Sequence, residues 1–377
     1  MKIGILTHPL RFNFGGILQN FALQSVLRKM GHDVYTIDWN DDKSFLYMLL
    51  SYVKRLFLHY ILQKRNIPVN FYINLTRDQF ISINEKNIRF IDKNINRTEY
   101  ISSIKNLRTV NRMGFDAIVV GSDQVWLEQF VPTMYLDFLD VNNSVRRIAY
   151  AASFGKEDWT YSDHSTNLAK SYVKKFNAVS VRESSAVDLC QKFLGISAIW
   201  VLDPTLLLSS EDYDKVINKE EDLSPKVPYI MTYILDPSTR KNNIIDGIAD
   251  TLNIETFSVS ARNEKAKISE KATSVSTWLA GFKNSEYVIT DSFHGMVFSI
   301  LFKKKFLAIG NNERGLARFV SLLGFLGLED RLILENDDQQ RILEKGMKSI
   351  DYITAFHRLN EFRNISNEFL KNSLNYD

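Results

Sequence analysis

Cysteine is nearly absent: the 377 residues contain one, Cys190. A single thiol excludes an intramolecular disulfide framework and a multi-cysteine zinc site, so packing and hydrogen bonding must hold this chain together. Long apolar runs are also scarce. The richest stretch, Ser44 to Leu62, is interrupted by Lys54, Arg55 and His59 and is a poor membrane span. It reads as a core helix with a solvated edge, an interfacial helix being the alternative. An excess of one charge is missing too, since 47 Lys and Arg against 44 Asp and Glu leave +3. That balance argues against a protein built mainly to hold nucleic acid. The chain opens on Met1-Lys-Ile-Gly-Ile-Leu-Thr7, a strand pattern rather than a signal peptide, and the expectation is a cytoplasmic protein.

What is present is a regular alternation of short apolar strands and helices. Ile3 to Thr7 is extended, a turn runs through Asn13-Phe-Gly-Gly16, a helix follows from about Ile17 to Met30, Gly31 stops it, and Val34 to Ile37 is the next strand. Buried parallel strands are then predicted at Ala117 to Ser122, Ile148 to Ser153, Ala178 to Val181 and Ile199 to Leu202, with a helix from Glu183 to Leu194. The polar stretch Ser209 to Pro228 is a candidate junction. A second alternating set has strands at Tyr229 to Ile234, Glu255 to Val259, Tyr287 to Thr290 and Phe306 to Ile309, and Ile350 to Leu374 reads as a long amphipathic helix. This length exceeds one core. The expected fold is α/β: two doubly wound Rossmann-like domains facing a cleft, with a long C-terminal helix. The expected units are 1–208, elaborated by helices over about 43–112, then 209–349, then 350–377.

Ligands of open α/β sheets bind beyond the carboxyl ends of the strands, so the polar residues following each strand are the candidates for chemistry. Tyr287-Val-Ile-Thr-Asp-Ser-Phe-His-Gly-Met296 runs from a strand into a helix start, and His294 there can exchange protons near neutrality; a packed or capping histidine is the other reading. Gly15 and Gly16 suit close backbone approach to a ligand or simply a tight turn, and they lack the spacing of a dinucleotide fingerprint or a P-loop. Asp123 and Trp126, in Gly121-Ser-Asp-Gln-Val-Trp126, suit a sugar, a carboxylate accepting hydroxyl protons beside an indole face; a helix cap and a core tryptophan are the alternative. Arg182, in Val179-Ser-Val-Arg-Glu183, suits an anion or an internal carboxylate. Arg314 and Arg318 form a second anion clamp or a solvated helix face.

Together, Asn13-Phe-Gly-Gly-Ile-Leu-Gln-Asn-Phe-Ala-Leu23, Gly121 to Trp126, Val179 to Glu183, Asp203-Pro204 and Thr290-Asp-Ser-Phe-His-Gly295 resemble the polysaccharide pyruvyl transferase family, in order and over most of the chain. The resemblance implies a two-domain fold like the GT-B glycosyltransferases and transfer of pyruvate from phosphoenolpyruvate to a sugar as a cyclic ketal, in bacterial surface polysaccharide synthesis. It implies His294 as acid, Arg182 as donor holder and Asp123 as a cleft aspartate. Ser292 stands where many members carry arginine, so donor binding is redistributed, to Arg314 and Arg318, or the donor differs. The donor set is then Arg182, Ser292, His294, Arg314 and Arg318, with the second domain as the donor side. The acceptor set is Asn13, Gly15, Gly16, Gln19, Asp123 and Trp126 on the side of the first. No metal or redox cofactor is required; magnesium is neither indicated nor excluded. The expected partners are phosphoenolpyruvate and a sugar or lipid-linked oligosaccharide, with residues 45–65 touching the inner membrane face if the acceptor is lipid-linked. A nucleotide-sugar glycosyltransferase and a non-catalytic sugar-binding module are the alternatives.

Overall fold

The computed structural model describes residues 1–42, 50, 52–54, 56–61, 77–140, 144–259, 272–310 and 315–375. Two parallel sheets organise them. The first contains β1 (Lys2–Leu6), β2 (Asp33–Thr36), β3 (Ala117–Asp123), β4 (Arg146–Ala152), β5 (Ala178–Val181) and β6 (Ile199–Trp200), in the order β2-β1-β3-β4-β5-β6. The second contains β7 (Ile230–Tyr233), β8 (Thr256–Ser258), β9 (Tyr287–Thr290), β10 (Lys305–Gly310) and β11 (Leu332–Leu334), in the order β11-β10-β9-β7-β8. All seven residues of β3 and all four of β9 are buried. That is why Ala117 to Val120 and Tyr287 to Ile289 are continuous apolar runs rather than alternating ones: parallel strands are covered on both faces.

In each sheet the chain steps outward on one side of its first strand, then returns to pair on the other. The order reverses between β1 and β3, and between β7 and β9. Connections diverge at such a point and leave a crevice at the strand ends.

The longer helices are α1 (Phe14–Lys29), α2 (Arg77–Ile83), α3 (Glu85–Asn94), α4 (Asp163–Val173), α5 (Thr239–Leu252), α6 (Val275–Asn284), α7 (Phe293–Leu301), α8 (Leu316–Leu326), α9 (Gln339–Met347) and α10 (Tyr352–Leu374). Two of them are buried nearly all round. Helix α1 buries twelve of its residues and α7 all nine, since both lie between the sheets. One apolar cluster therefore runs through both halves, with Phe14 of α1 meeting Tyr233 and Trp278 at ring-centroid distances of 6.2 and 5.7 Å. Helix α10 follows the second sheet in sequence and returns to the first: Leu202 N–H donates to Ser366 Oγ at 3.0 Å, and Arg363 donates to the carbonyls of Leu206 (2.6 Å) and Leu208 (2.9 Å).

Three expectations change. The helix drawn from Glu183 to Leu194 is Ser185–Leu189 followed by a wider turn over Cys190–Leu194, closed by Gly195 at φ 68°. Strand β11 was not foreseen, because three residues at a sheet edge carry too short a pattern. The stretch Ser44 to Leu62, part of which lies outside the described residues, does not pack as a core helix: none of its described residues is buried, and Leu50, Val53, Phe57 and Tyr60 are exposed. No described helix is long and apolar enough to cross a membrane.

Candidate active site

A cavity of about 530 Å³ lies where the two order reversals face each other. His8, Arg11 and Asn13 reach it from the loop after β1, Asp123 from the end of β3, Tyr233 and Leu235 from β7, and Asp291 to His294 from β9, with Arg318 entering from α8.

A buried ion network forms the wall on the first sheet. Asp123 has a left-handed backbone (φ 87°), a conformation that short polar residues tolerate best among non-glycines, and it turns the carboxylate off the strand line. Its Oδ1 accepts from the Gln124 N–H at 2.9 Å and from Arg182 Nη2 at 3.2 Å. Arg182 Nη1 donates to Asp203 Oδ2 at 2.7 Å, and Asp203 Oδ1 accepts from the Thr205 N–H (3.0 Å) and hydroxyl (2.6 Å). Burial alone would raise both carboxyls. The cations around them win: Arg182, His8, His294 and Arg318 hold Asp123 well below the usual carboxylate range, and His294 and Arg182 do the same for Asp203. Glu183 goes the other way. Burial raises it despite Arg182 and Arg318, and Ser153 Oγ and the Phe154 N–H both donate to it at 2.9 Å.

Phe293 carries cations over its ring, the Arg182 guanidinium at 4.9 Å and that of Arg318 at 5.3 Å from the centroid. Burial and then the neighbouring Arg182 charge lower the Arg318 pKa to about 10. Arg318 nevertheless stays cationic near neutrality and lines the cavity.

The wall on the second sheet begins at α7. The Ser292 side chain caps that helix, accepting from the Gly295 N–H at 3.3 Å, and Gly295 lies so close to Thr290 that a Cβ there would meet Thr290 Oγ1 at 2.2 Å. His294 Nε2 sits 3.7 Å from Asp203 Oδ2, an electrostatic contact too long for a hydrogen bond. The other side of the imidazole packs on α1: a Cβ on Gly15 would lie 2.1 Å from His294 Nδ1. Glycine at 15 is therefore what admits the histidine between the sheets. Behind this wall Asp291 accepts from the Leu235 N–H (2.6 Å), the Asp236 N–H (3.1 Å) and Lys241 Nζ (2.8 Å).

The structure thus brings His294, Asp123, Ser292, Asn13 and Arg318 onto one cavity. Asn13 also caps α1 through the Gly16 N–H (3.2 Å). Arg182 lies beneath the wall rather than on it, its guanidinium turned to Asp203 and Asp123. Two expected acceptor contacts are corrected. Trp126 is wholly buried, stacked on Tyr135 at 5.1 Å, and offers no face to a sugar. Gln19 is also buried, donating to Thr7 Oγ1 and the Ser122 carbonyl at 3.3 Å, so it ties α1 to the strand ends. Both side chains turn inward from motifs whose neighbours face the cavity. Arg314 lies outside the described residues.

Sequence reasoning missed His8, Arg11 and Lys241. The first two had a usable signal, since His8-Pro-Leu-Arg11 directly follows β1 at a strand end. Lys241 had none: it is one lysine of a helix start, and only the fold buries it against Asp291. No cluster of three or more His, Cys, Asp or Glu fit for a metal occurs among the described residues.

Facing parallel sheets, a ligand crevice between them and a C-terminal helix returning to the first define a GT-B architecture, and solved structures agree. UDP-N-acetylglucosamine 2-epimerase from Rickettsia bellii superposes with a TM-score of 0.53 at 11% identity, over 98% of this chain and 95% of that one. TarM of S. aureus, solved with UDP, gives 0.52 at 10% identity over 100% of both chains, and the UDP-GlcNAc 2-epimerase of Neisseria meningitidis 0.51 at 12% over 99% of both. At such identities the likeness is one of fold. No curated protein sequence matches the chain. The polysaccharide pyruvyl transferase family matches residues 13–313, and the chain belongs to that family.

Proposed function

We propose that this protein transfers pyruvate from phosphoenolpyruvate to two hydroxyls of one sugar, forming a cyclic ketal on a polysaccharide precursor. The observation that carries this reading is the meeting of His294, backed by Asp203, with the cationic Arg318 in one cavity of a chain matching the family over residues 13–313. The donor bears a carboxylate and a phosphate. Arg318, with His8 and Arg11 on the same cavity and the N-terminus of α7, supplies the charge to hold them. Arg182 acts one layer behind, keeping Asp123 ionised and in place.

In the reaction, protonated His294 gives its proton to the methylene carbon of the donor, and the adjacent carbon becomes cationic. Asp203 balances the histidine charge at the start. One sugar hydroxyl oxygen attacks that carbon, and its proton returns to the imidazole. A second hydroxyl then bonds to the same carbon as the carbon–phosphate oxygen bond breaks, and its proton leaves with phosphate. Asp123, held far below the usual carboxylate range, is a weak base. It serves as a hydrogen-bond acceptor that aims a hydroxyl rather than as the final proton carrier. The acceptor is a sugar, free or lipid-linked, on the cytoplasmic side of the membrane.

Purified protein incubated with phosphoenolpyruvate and a sugar panel should release phosphate and give a sugar of ketal mass. His294→Gln should lower turnover by about 10²- to 10⁴-fold, the usual worth of a positioned acid. Thermal stabilisation by a UDP-sugar, with none by phosphoenolpyruvate and no phosphate release, would sink this reading in favour of glycosyl transfer.

A further inference from the structure

Beside the main cavity, across the loop Pro9 to Phe12, two recesses adjoin at the β2 side of the first sheet, where residues 96–101 run along the chain after β2. One, of about 410 Å³, is walled by Tyr35, Asp38, Arg77, Asp92, Arg97 and Tyr100. The other, narrower at about 90 Å³, shares Asp38, Arg77, Arg97 and Tyr100 and adds Trp39, Asn40, Asp42 and Phe80. Pro9 and Arg11 line both this narrower recess and the main cavity, so the three hollows follow one another. The join is anchored. Trp39 Nε1 donates to the Thr7 carbonyl at 2.8 Å, one residue before His8, and the Arg11 guanidinium lies 5.3 Å over the Phe80 ring.

The chemistry of the lining selects the occupant. Three carboxylates (Asp38, Asp42, Asp92) face three guanidinium groups (Arg11, Arg77, Arg97), so the recesses have no net charge to attract a phosphate. Many of these groups hold one another in fixed directions. Arg97 donates to Asp38 at 2.9 Å and also to Asp92, Tyr100 donates to Asp42 at 2.5 Å, and Arg77 stacks on Tyr100 at 3.7 Å from the centroid. Oriented donors and acceptors beside partly exposed aromatic and aliphatic surface, here Phe80 and Ile81, are what a neutral polyhydroxylated ligand requires: hydroxyls pair with either charge, and C–H faces cover the apolar edge.

We infer that this edge groove binds the sugar units that neighbour the one being modified, so that the acceptor is a neutral oligosaccharide at least two residues long, running from the main cavity over Pro9 and Arg11 to Trp39 and Tyr100. The inference rests on the sugar-acceptor reading above. It also gives the helices α2 and α3 a purpose, since α2 contributes Arg77, Phe80 and Ile81 and α3 contributes Ile88 and Asp92 to the recesses.

The test compares neutral mono-, di- and tetrasaccharides of glucose, galactose and N-acetylglucosamine. Acceptor KM is read from phosphate release, and affinity by calorimetry without donor. Wild-type protein should prefer an oligomer to its monomer by about tenfold, equivalent to roughly 1.4 kcal/mol. Arg77→Ala, at an exposed position, and Asp42→Asn should each abolish that preference. Equal use of monomer and oligomer by wild type, or a preference that survives both variants, overturns the groove. If no acceptor is turned over at all, the transfer reading fails, and calorimetry still decides the groove: tighter oligomer binding lost in Arg77→Ala supports it, and no such binding refutes it.

Discussion

Two buried ion clusters stand at strand ends on opposite sides of the cavity, and they differ in what holds their carboxylates. On the first sheet, Arg182 is shared between Asp123, which borders the cavity, and Asp203, which also accepts from Ser122 and Thr205 and lies 3.7 Å from His294. On the second sheet, Asp291, which also borders the cavity, accepts from two backbone N–H groups and from Lys241, which also meets Glu335 at 3.3 Å. The first cluster ties the ends of β3 and β5 to the segment after β6. The second is a fastener between the loops after β7 and β9. What separates the clusters is the partners their carboxylates take: side chains that bind one another and approach His294 on the first sheet, loop N–H groups and a lysine on the second.

Removing each cation separately is the sharpest way to break this contrast. Arg182→Met leaves two buried carboxylates without their partner and should cost about 3–5 kcal/mol of stability, together with most of the turnover. Lys241→Met should cost about 3 kcal/mol, the low end of the same range, because Glu335 is partly solvated and Asp291 keeps its backbone donors. Where Lys241→Met remains folded, its KM for phosphoenolpyruvate should match wild type. Urea denaturation with steady-state kinetics reads both, and a Lys241→Met enzyme as inactive as Arg182→Met would erase the distinction.

Acid sharpens the contrast next. Asp123 and Asp203 are depressed in the folded state, so the stability they contribute is fully present above the unfolded value of about 3.9 and is lost as pH falls below it toward their folded values. Glu183 is raised by burial, so its contribution has the opposite sign: present below about 4.3 and lost as pH rises through its folded value. Unfolding free energy should thus drop steeply below about pH 4, and Asp203→Asn should flatten that slope. An unchanged slope in this variant would mean that the cluster is not what the acid limb reports.

The smallest effect belongs to Ser292. Loss of its cap in Ser292→Ala should cost about 1 kcal/mol in stability. If capping is its whole role, KM for the donor stays at the wild-type value; a rise in that KM would mean that the hydroxyl also touches the donor from its place on the cavity wall.

Most of the strand and helix pattern was legible because parallel strands are apolar on both faces and helices are bounded by caps and glycines. Strand β5 at Ala178–Val181 and β9 at Tyr287–Thr290 were bounded to the residue. The elements that escaped were short or locally irregular, as with β11 and the turn at Cys190–Leu194. At the candidate site the sequence pointed to strand ends that border the cavity but not to the direction of each side chain. Trp126 and Asp123 lie three residues apart in one motif, and one fills the core while the other faces the cavity.

The sequence by itself determined the alternation of strand and helix, the order of the motifs and therefore the family. Local propensity and short-range pattern carry that information. Only the tertiary structure decided which motif residues meet. His294 and Asp203 are 91 positions apart, and Gly15 must be a glycine only because the histidine ring arrives from the other sheet. That contact depends on how two sheets pack, and Asp123 stands at the cavity on a left-handed turn; neither leaves a periodic trace in the chain.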